Sequence, residues 1–353
     1  MKKVLSLVLF VIALQFADAQ KLPKLWSESK AQEWYAAQGW MSGCNYIPSS
    51  AINQLEMWQK ATFDTATINR ELGWAEDLGF NTMRVFLHDL AWKEDAEGFK
   101  DRIKTFLTIA AAHGIKPMFV FFDDCWNPDA RAGTQPRPKP GIHNSGWLRS
   151  PSEAVHNDPS QWEYLGYYVH DILVTFRHDK RILMWDLYNE PGNSGYTAKS
   201  LPLLKAIFGW ARKANPDQPV TAGWWTDNEK FNELNAFAFA NSDVISYHNY
   251  DSAQYHEKRI QELKKYHRPL ICTEYMARPR GSTFFTILPL LKKENVSAIN
   301  WGFVDGKTQT KYAWNTPMPD GAEPKPWFHE ILHTDGTPYD PRETALIKEI
   351  NKK

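Results

Sequence analysis

Eight short apolar runs, each followed by a stretch of helical periodicity, constrain the fold of this chain more than any other feature. The runs are Gly39–Tyr46, Asn81–Leu87, Lys116–Phe122, Ile182–Asn189, Pro219–Gly223, Asp243–His248, Pro269–Thr273 and Ser297–Phe303. Their near-continuous apolar character predicts strands buried on both faces. Helix candidates lie at Thr67–Gly79, Phe99–His113, Gln161–Arg177, Ala198–Ala214, Glu229–Ala240, Gln254–Tyr266 and Thr283–Glu294, and a last one within Arg342–Asn351. In the first of these Ile68, Leu72, Ala75 and Leu78 share a face, and Gly79 supplies the stop. Strand–helix alternation at this spacing predicts parallel βαβ units. Eight such units fit a closed α/β (β/α)8 TIM barrel better than an open doubly wound sheet. No glycine-rich phosphate loop follows the first strand, which argues against a nucleotide site.

At 353 residues the chain exceeds the about 250 that such a barrel typically uses. Part of the surplus is the segment Asn127–Pro159 after strand three, with five prolines between Pro128 and Pro151. Pro136, Pro138 and Pro140 alternate with other residues, a pattern that is extended and stiff. A loop of this length inside a compact domain is usually functional or disordered. It is expected at the C-terminal end of the strands, where it would shape a cleft. There is no repeat beyond the βα unit and no linker, so residues 20–353 read as one domain.

Lys2 and Lys3 precede the apolar run Val4–Phe16, and Ala17-Asp18-Ala19 follows it. The run is shorter than the about 20 residues a membrane span needs. This is the pattern of a signal peptide over residues 1–19, cleaved after Ala19. No cysteine follows the run, so no membrane anchor is expected, and the mature protein should be periplasmic or secreted. Basic and acidic side chains balance at 41 each, which argues against a nucleic-acid partner. A monomer is expected. Cys44, Cys125 and Cys272 are odd in number and two lie in or beside apolar strands, so free buried thiols are the simpler reading, with one bridge left open.

Polar residues at strand C-termini converge on the mouth of a barrel. Arg181–Gly195 reads RILMWDLYNEPGNSG, an apolar strand that turns polar and ends on Glu190, with Pro191 and Gly192 to stop it. Arg268–Ala277, RPLICTEYMA, likewise ends an apolar run on a lone glutamate, Glu274. Each alone could be the first solvated residue after a strand. Two of them suggest a pair of carboxylates facing one cleft.

Asn-Glu-Pro after one strand and Thr-Glu at the end of a later one resemble the retaining glycoside hydrolases. More narrowly the chain resembles family 5, the cellulase-like group whose catalytic glutamates end barrel strands four and seven. The resemblance spans roughly Trp40 to Lys311. WDLYNE is also similar to family 10 xylanases, but CTEYM does not fit their nucleophile context. The resemblance implies Glu190 as acid/base and Glu274 as nucleophile. It further implies that Arg84 hydrogen-bonds the nucleophile and that Asn189 binds the hydroxyl beside the reacting carbon. His248 and Tyr250 would support nucleophile and sugar, and Trp301 would floor the subsite. At strand three the family usually carries a histidine-bearing segment. Here it reads Phe122-Asp123-Asp124-Cys125-Trp126, so Asp123 or Asp124 is expected to bind sugar hydroxyls instead, which leaves the substrate open. Trp147 on the insertion is a stacking candidate, as are Trp224 and Trp225. His88, Asp89, Asp123 and Asp124 match no compact ligand motif, so no metal and no cofactor is expected.

These residues satisfy what the chemistry requires. A retaining hydrolase needs one carboxylic acid and one carboxylate about 5–5.5 Å apart. Arg84 beside Glu274 would keep it ionised, and a more apolar setting would keep the proton on Glu190. The expectation is a retaining β-glycoside hydrolase acting by double displacement on an oligo- or polysaccharide. An exo-acting β-mannosidase or a xylanase on the same scaffold is the alternative. A non-catalytic carbohydrate-binding barrel would be expected to have lost one glutamate, and both are present.

Overall fold

In a computed structural model that describes residues 24–352, eight parallel strands form the barrel the sequence predicts. They are β1 Ser42–Tyr46, β2 Thr82–Phe86, β3 Lys116–Asp123, β4 Met184–Asn189, β5 Val220–Thr221, β6 Ile245–His248, β7 Leu270–Glu274 and β8 Ser297–Asn300. Hydrogen-bonded ladders run in the order β5-β4-β3-β2-β1-β8-β7-β6. The β5–β6 seam is closed more sparsely. Asp243 N donates to Val220 O at 2.8 Å, Trp224 N to Ser246 O at 3.2 Å and His248 N to Trp224 O at 2.8 Å. The expected signal peptide lies outside the described residues. Among those residues no helix is long and apolar enough to cross a membrane.

The strands are buried on both faces because helices cover the outside of the barrel. The helix Ala96–Ala112 shows the pattern, with Phe99, Ile103, Phe106, Leu107 and Ala110 on its inner face. Asp95 caps it by accepting from Gly98 N at 3.1 Å. Phe106 stacks on Tyr46 and meets Trp58 edge-on. Burying a ring of this size stabilises by about 1.5–3 kcal/mol, and Phe106→Ala would cost about 3–5 kcal/mol once the cavity is included.

The helix Glu28–Gln38 was not apparent from sequence pattern. It sits across the N-terminal end of the barrel, where Tyr35 joins Met41, Met118, Leu183, Met184, Val244, Ile271 and Ile299 in a separate apolar cluster. Tyr35 Oη donates to Asn295 O at 2.9 Å, which fixes the plug to the turn before β8. With that end filled, the C-terminal end is left as the open mouth. Cys44, Cys125 and Cys272 are all buried and unbridged.

Two irregular segments rise over the mouth. One is the expected insertion after β3. The other follows β8, from Trp301 to Asp340, and carries almost no regular structure. They bond to each other. Asn144 N donates to Thr308 O at 2.8 Å and Met318 N to Gly141 O at 3.0 Å. Gln309 Nε2 donates to Lys139 O at 2.8 Å, and its Oε1 accepts from Gly141 N at 3.2 Å. The insertion is also tied to the loop after β1, through Asn53 Nδ2 to Gly146 O at 2.9 Å and Gln54 Nε2 to Leu148 O at 3.0 Å. The result is a continuous wall along the β1, β2 and β8 side.

Candidate active site

The end of β4 is bent to present Glu190. Its φ is +43°, an uncommon conformation for a glutamate that costs on the order of 1–3 kcal/mol and persists only where neighbours enforce it. Asp124 does the enforcing. Its Oδ1 accepts from Tyr188 Oη at 2.6 Å, and its Oδ2 from Gly192 N at 2.7 Å and Ser200 Oγ at 2.6 Å. Gly192 has φ +87° and no room for a side chain against Phe231 and Thr197 O. The expectation that Asp124 reads sugar hydroxyls is therefore corrected: one of its oxygens is spent on Tyr188 of β4 and the other on Gly192 and Ser200 beyond Glu190, and it does not line the cavity.

Its neighbour Asp123 points the other way, as successive strand residues must. Asp123 lines the cavity and is hydrogen-bonded by Asn189 Nδ2 at 2.8 Å, Cys125 N at 2.9 Å and Trp147 Nε1 at 2.7 Å. Burial pushes its carboxyl up to about 6 despite these donors. Asn189 in turn accepts from Arg84 Nη2 at 2.6 Å, so both ends of its amide are oriented.

Arg84 is the centre of the buried polar network. Its Nη1 donates to Glu274 Oε1 at 2.8 Å and to Asn45 Oδ1 at 2.9 Å. Its Nε and Nη2 both reach Asp186 Oδ2, at 3.0 and 2.7 Å. Asp186 was not among the sequence candidates, because it lies inside the apolar run of β4 and its partner is far away in sequence. The other oxygen of Glu274 accepts from Tyr250 Oη at 2.7 Å.

The two glutamates face each other across His248. Nδ1 of His248 is 2.7 Å from Glu190 Oε1 and 3.3 Å from Glu274 Oε2. One oxygen of each glutamate and this nitrogen lie within 4.8 Å of one another. That spacing fits the short separation of a retaining pair and not the about 6.5–9.5 Å of an inverting one. Glu190 Oε2 is held by Asn193 Nδ2 and by the Cys125 thiol at 3.3 Å. Burial pushes both carboxyls above the ordinary glutamate range, and on Glu274 the charge of Glu190 adds to it. Arg84 opposes the rise at Glu274 from direct contact. Burial pulls His248 down to about 4, which leaves it neutral. By donor type Glu190, His248 and Glu274 could hold a cation. The Arg84 guanidinium already neutralises Glu274 at 2.8 Å, which disfavours a second positive charge there.

Around this pair lies a cavity of about 630 Å³. Trp301 forms part of its lining and meets Phe86 and Trp147 edge-on, with centroids 5.9 and 5.6 Å away. Trp147 is almost wholly buried, so it supports Trp301 and Asp123 more than it offers a free face. Trp224 and Trp225 line the cavity on the β5 side. Sequence reading missed Trp126, His143, Trp314 and His329, which also line it. His143, Trp314 and His329 stand on the two irregular segments and Trp126 on the residues that lead into the first, where no periodicity points inward.

The pattern of the TIM-barrel domain of glycosyl hydrolases family 2 matches residues 144–305. No curated protein sequence matches the chain. Among solved structures, a GH5_18 variant from Streptomyces cattleya in complex with Manβ1-4GlcNAc is similar, with a TM-score of 0.60 and 12% identity over 88% of this chain and 80% of that one. An exo-β-1,4-mannosidase from Opitutaceae bacterium strain TAV5 has a TM-score of 0.62 and 15% identity, covering 88% of this chain and 59% of that one. An endo-β-1,4-mannanase from Thermotoga petrophila has a TM-score of 0.55 and 14% identity, covering 90% and 77%. The resemblance read from the sequence stands: this chain has the (β/α)8 barrel seen in glycoside hydrolases of family 5.

Proposed function

We propose that the protein is a retaining β-glycosidase that removes a terminal sugar, with Glu274 as nucleophile and Glu190 as acid/base. The observation that carries the reading is the glutamate pair within 4.8 Å, with Arg84 and Tyr250 both bonded to Glu274. Glu274 attacks the anomeric carbon as the bond to the leaving oxygen breaks, and Glu190 gives that oxygen its proton. A covalent glycosyl-enzyme results. In forming it Glu274 loses its charge, which removes a like charge beside Glu190 and lowers its pKa. Glu190 can then take a proton from water as the water attacks the anomeric carbon and releases Glu274.

Exo action is supported by the wall. The insertion and the segment after β8 meet over one side of the mouth, and such a barrier leaves little room for a polymer to continue. The neighbours described as a mannosidase and a mannanase make β-mannosides the first substrates to try. We also propose export to the periplasm or medium, directed by residues 1–19. Turnover of aryl β-mannoside, β-glucoside and β-xyloside, with viscometry on a soluble β-mannan, tests the reading. Slow release of monosaccharide without a viscosity drop is expected. A rapid viscosity drop with mixed oligosaccharides would overturn exo action, and no turnover of any β-glycoside would overturn the whole proposal.

A further inference from the structure

Two histidines on the wall have their tautomers set by the backbone. His143, on the insertion, places Nδ1 2.9 Å from Tyr312 O. His329, on the segment after β8, places Nδ1 against Met276 O. A carbonyl oxygen only accepts, so each Nδ1 carries the hydrogen. In a neutral imidazole the other nitrogen is then a bare acceptor. Both rings are neutral at ordinary pH, because burial pulls His143 down to about 4 and His329 well below its usual value.

Both residues line the cavity, with ring centroids 5.5 Å apart. Nε2 of His329 is buried without a protein partner. Trp314 packs against both rings, and His329 lies 5.5 Å from the ring of Tyr250, whose hydroxyl holds Glu274. His329 is therefore one aromatic ring away from the nucleophile, and His143 packs directly against His329. A buried acceptor left unmatched in the complex is unfavourable, so the occupant should bring donors to meet it.

We infer that Nε2 of His143 and Nε2 of His329 form an acceptor pair that reads hydroxyl donors on the glycone of a neutral sugar. This rests on the glycosidase reading above for the ligand being a sugar. Hydroxyl groups can donate to both nitrogens. A uronic acid carboxylate turned towards them cannot, and would set lone pairs against lone pairs. The site thus demands free hydroxyls, and disfavours a carboxylate, at the positions where the sugar faces the pair. Specificity would come from two loops that are not part of the barrel.

The test uses the full-length protein with methyl β-mannoside, β-glucoside and β-xyloside, measured by calorimetric binding and by turnover of the aryl counterparts. For the tightest binder, each monodeoxy analogue and the matching uronic acid follow. Loss of the hydroxyl that meets His143 should weaken wild-type binding about tenfold, as expected for one hydrogen bond. In His143→Ala that analogue and its parent should bind alike, while the penalties at other hydroxyls persist. The series on the wild type stands even if His329→Ala fails to fold. Equal deoxy penalties in wild type and His143→Ala would overturn the inference, as would a uronic acid bound as well as its parent where the 6-deoxy penalty is the one that His143→Ala abolishes. Hydroxyl-dependent binding without hydrolysis would leave the acceptor pair standing and reject the glycosidase reading. Hydrolysis without that dependence would do the reverse, and no sugar binding at all would reject both.

Discussion

Arg84 and Asp186 are locked together inside the barrel, with Nε and Nη2 on a single carboxylate oxygen at 3.0 and 2.7 Å and no exposed surface on either side chain. This pairing aims the remaining guanidinium nitrogen at Glu274. Asp186→Ala leaves the buried cation only partly compensated and should destabilise by about 3 kcal/mol or more, read by chemical denaturation. Asp186→Asn keeps the shape and removes one anion. Arg84 then acts more fully on Glu274 and lowers its pKa, so the acid limb of kcat/KM should move to lower pH. An unmoved or raised acid limb would show that Asp186 does not act through Arg84.

Glu274→Ala should lose on the order of 10⁴-fold or more in kcat while the far-ultraviolet spectrum and Tm stay near those of the wild type. Azide fits where the carboxylate stood. It should restore part of the turnover on an activated aryl glycoside and give a glycosyl azide of inverted configuration. Wild-type activity in the variant would end the assignment of Glu274.

The proposed retention rests on the short separation of the two glutamates. Proton NMR during hydrolysis of a β-glycoside should show the β-anomer first, with the α-anomer appearing only by mutarotation. An initial α-anomer would refute the double displacement.

Glu330 offers a test of the wall's stability. It is buried, bonded to Thr310 through one oxygen, and its other oxygen has no protein partner. Burial pushes its carboxyl up to about 8. The folded chain therefore keeps a proton that the unfolded chain has already lost. That contribution to stability is present below the ordinary glutamate value and is lost as pH rises towards about 8. Glu330→Gln lacks the titration, so its Tm should gain on the wild type steadily across this window. A Tm difference independent of pH would contradict the buried, protonated state.

The barrel was legible because burial on both faces writes each strand as an apolar run. β5 was the weakest of these, and in the structure it is only Val220–Thr221, with the seam to β6 carried by a few bonds beyond it. Glu190, Glu274, Arg84, Asn189, His248, Tyr250 and Trp301 were legible because they end strands or belong to a motif. Asp123 and Asp124 could not be separated, since adjacent residues face opposite ways and the phase at a strand end is set by the ladder. Asp186 was hidden inside a strand, and its meaning depends on Arg84, which only the closed barrel brings near. His143, Trp314 and His329 left no signal, because irregular backbone has no period from which to infer a face.

Gly141 has φ +69°, and a Cβ there would lie 1.6 Å from Met318 O, a carbonyl on the segment after β8. The two segments are thus fitted to each other at the level of single atoms, though the strands from β4 to β8 lie between them in sequence. For heredity they amount to one part written in two places. Exchanging either stretch alone with a related barrel would set a foreign surface against that carbonyl, whereas exchanging both together would carry the wall across intact. New substrate preferences on this scaffold are then more accessible through paired loop replacement than through gradual drift of one loop.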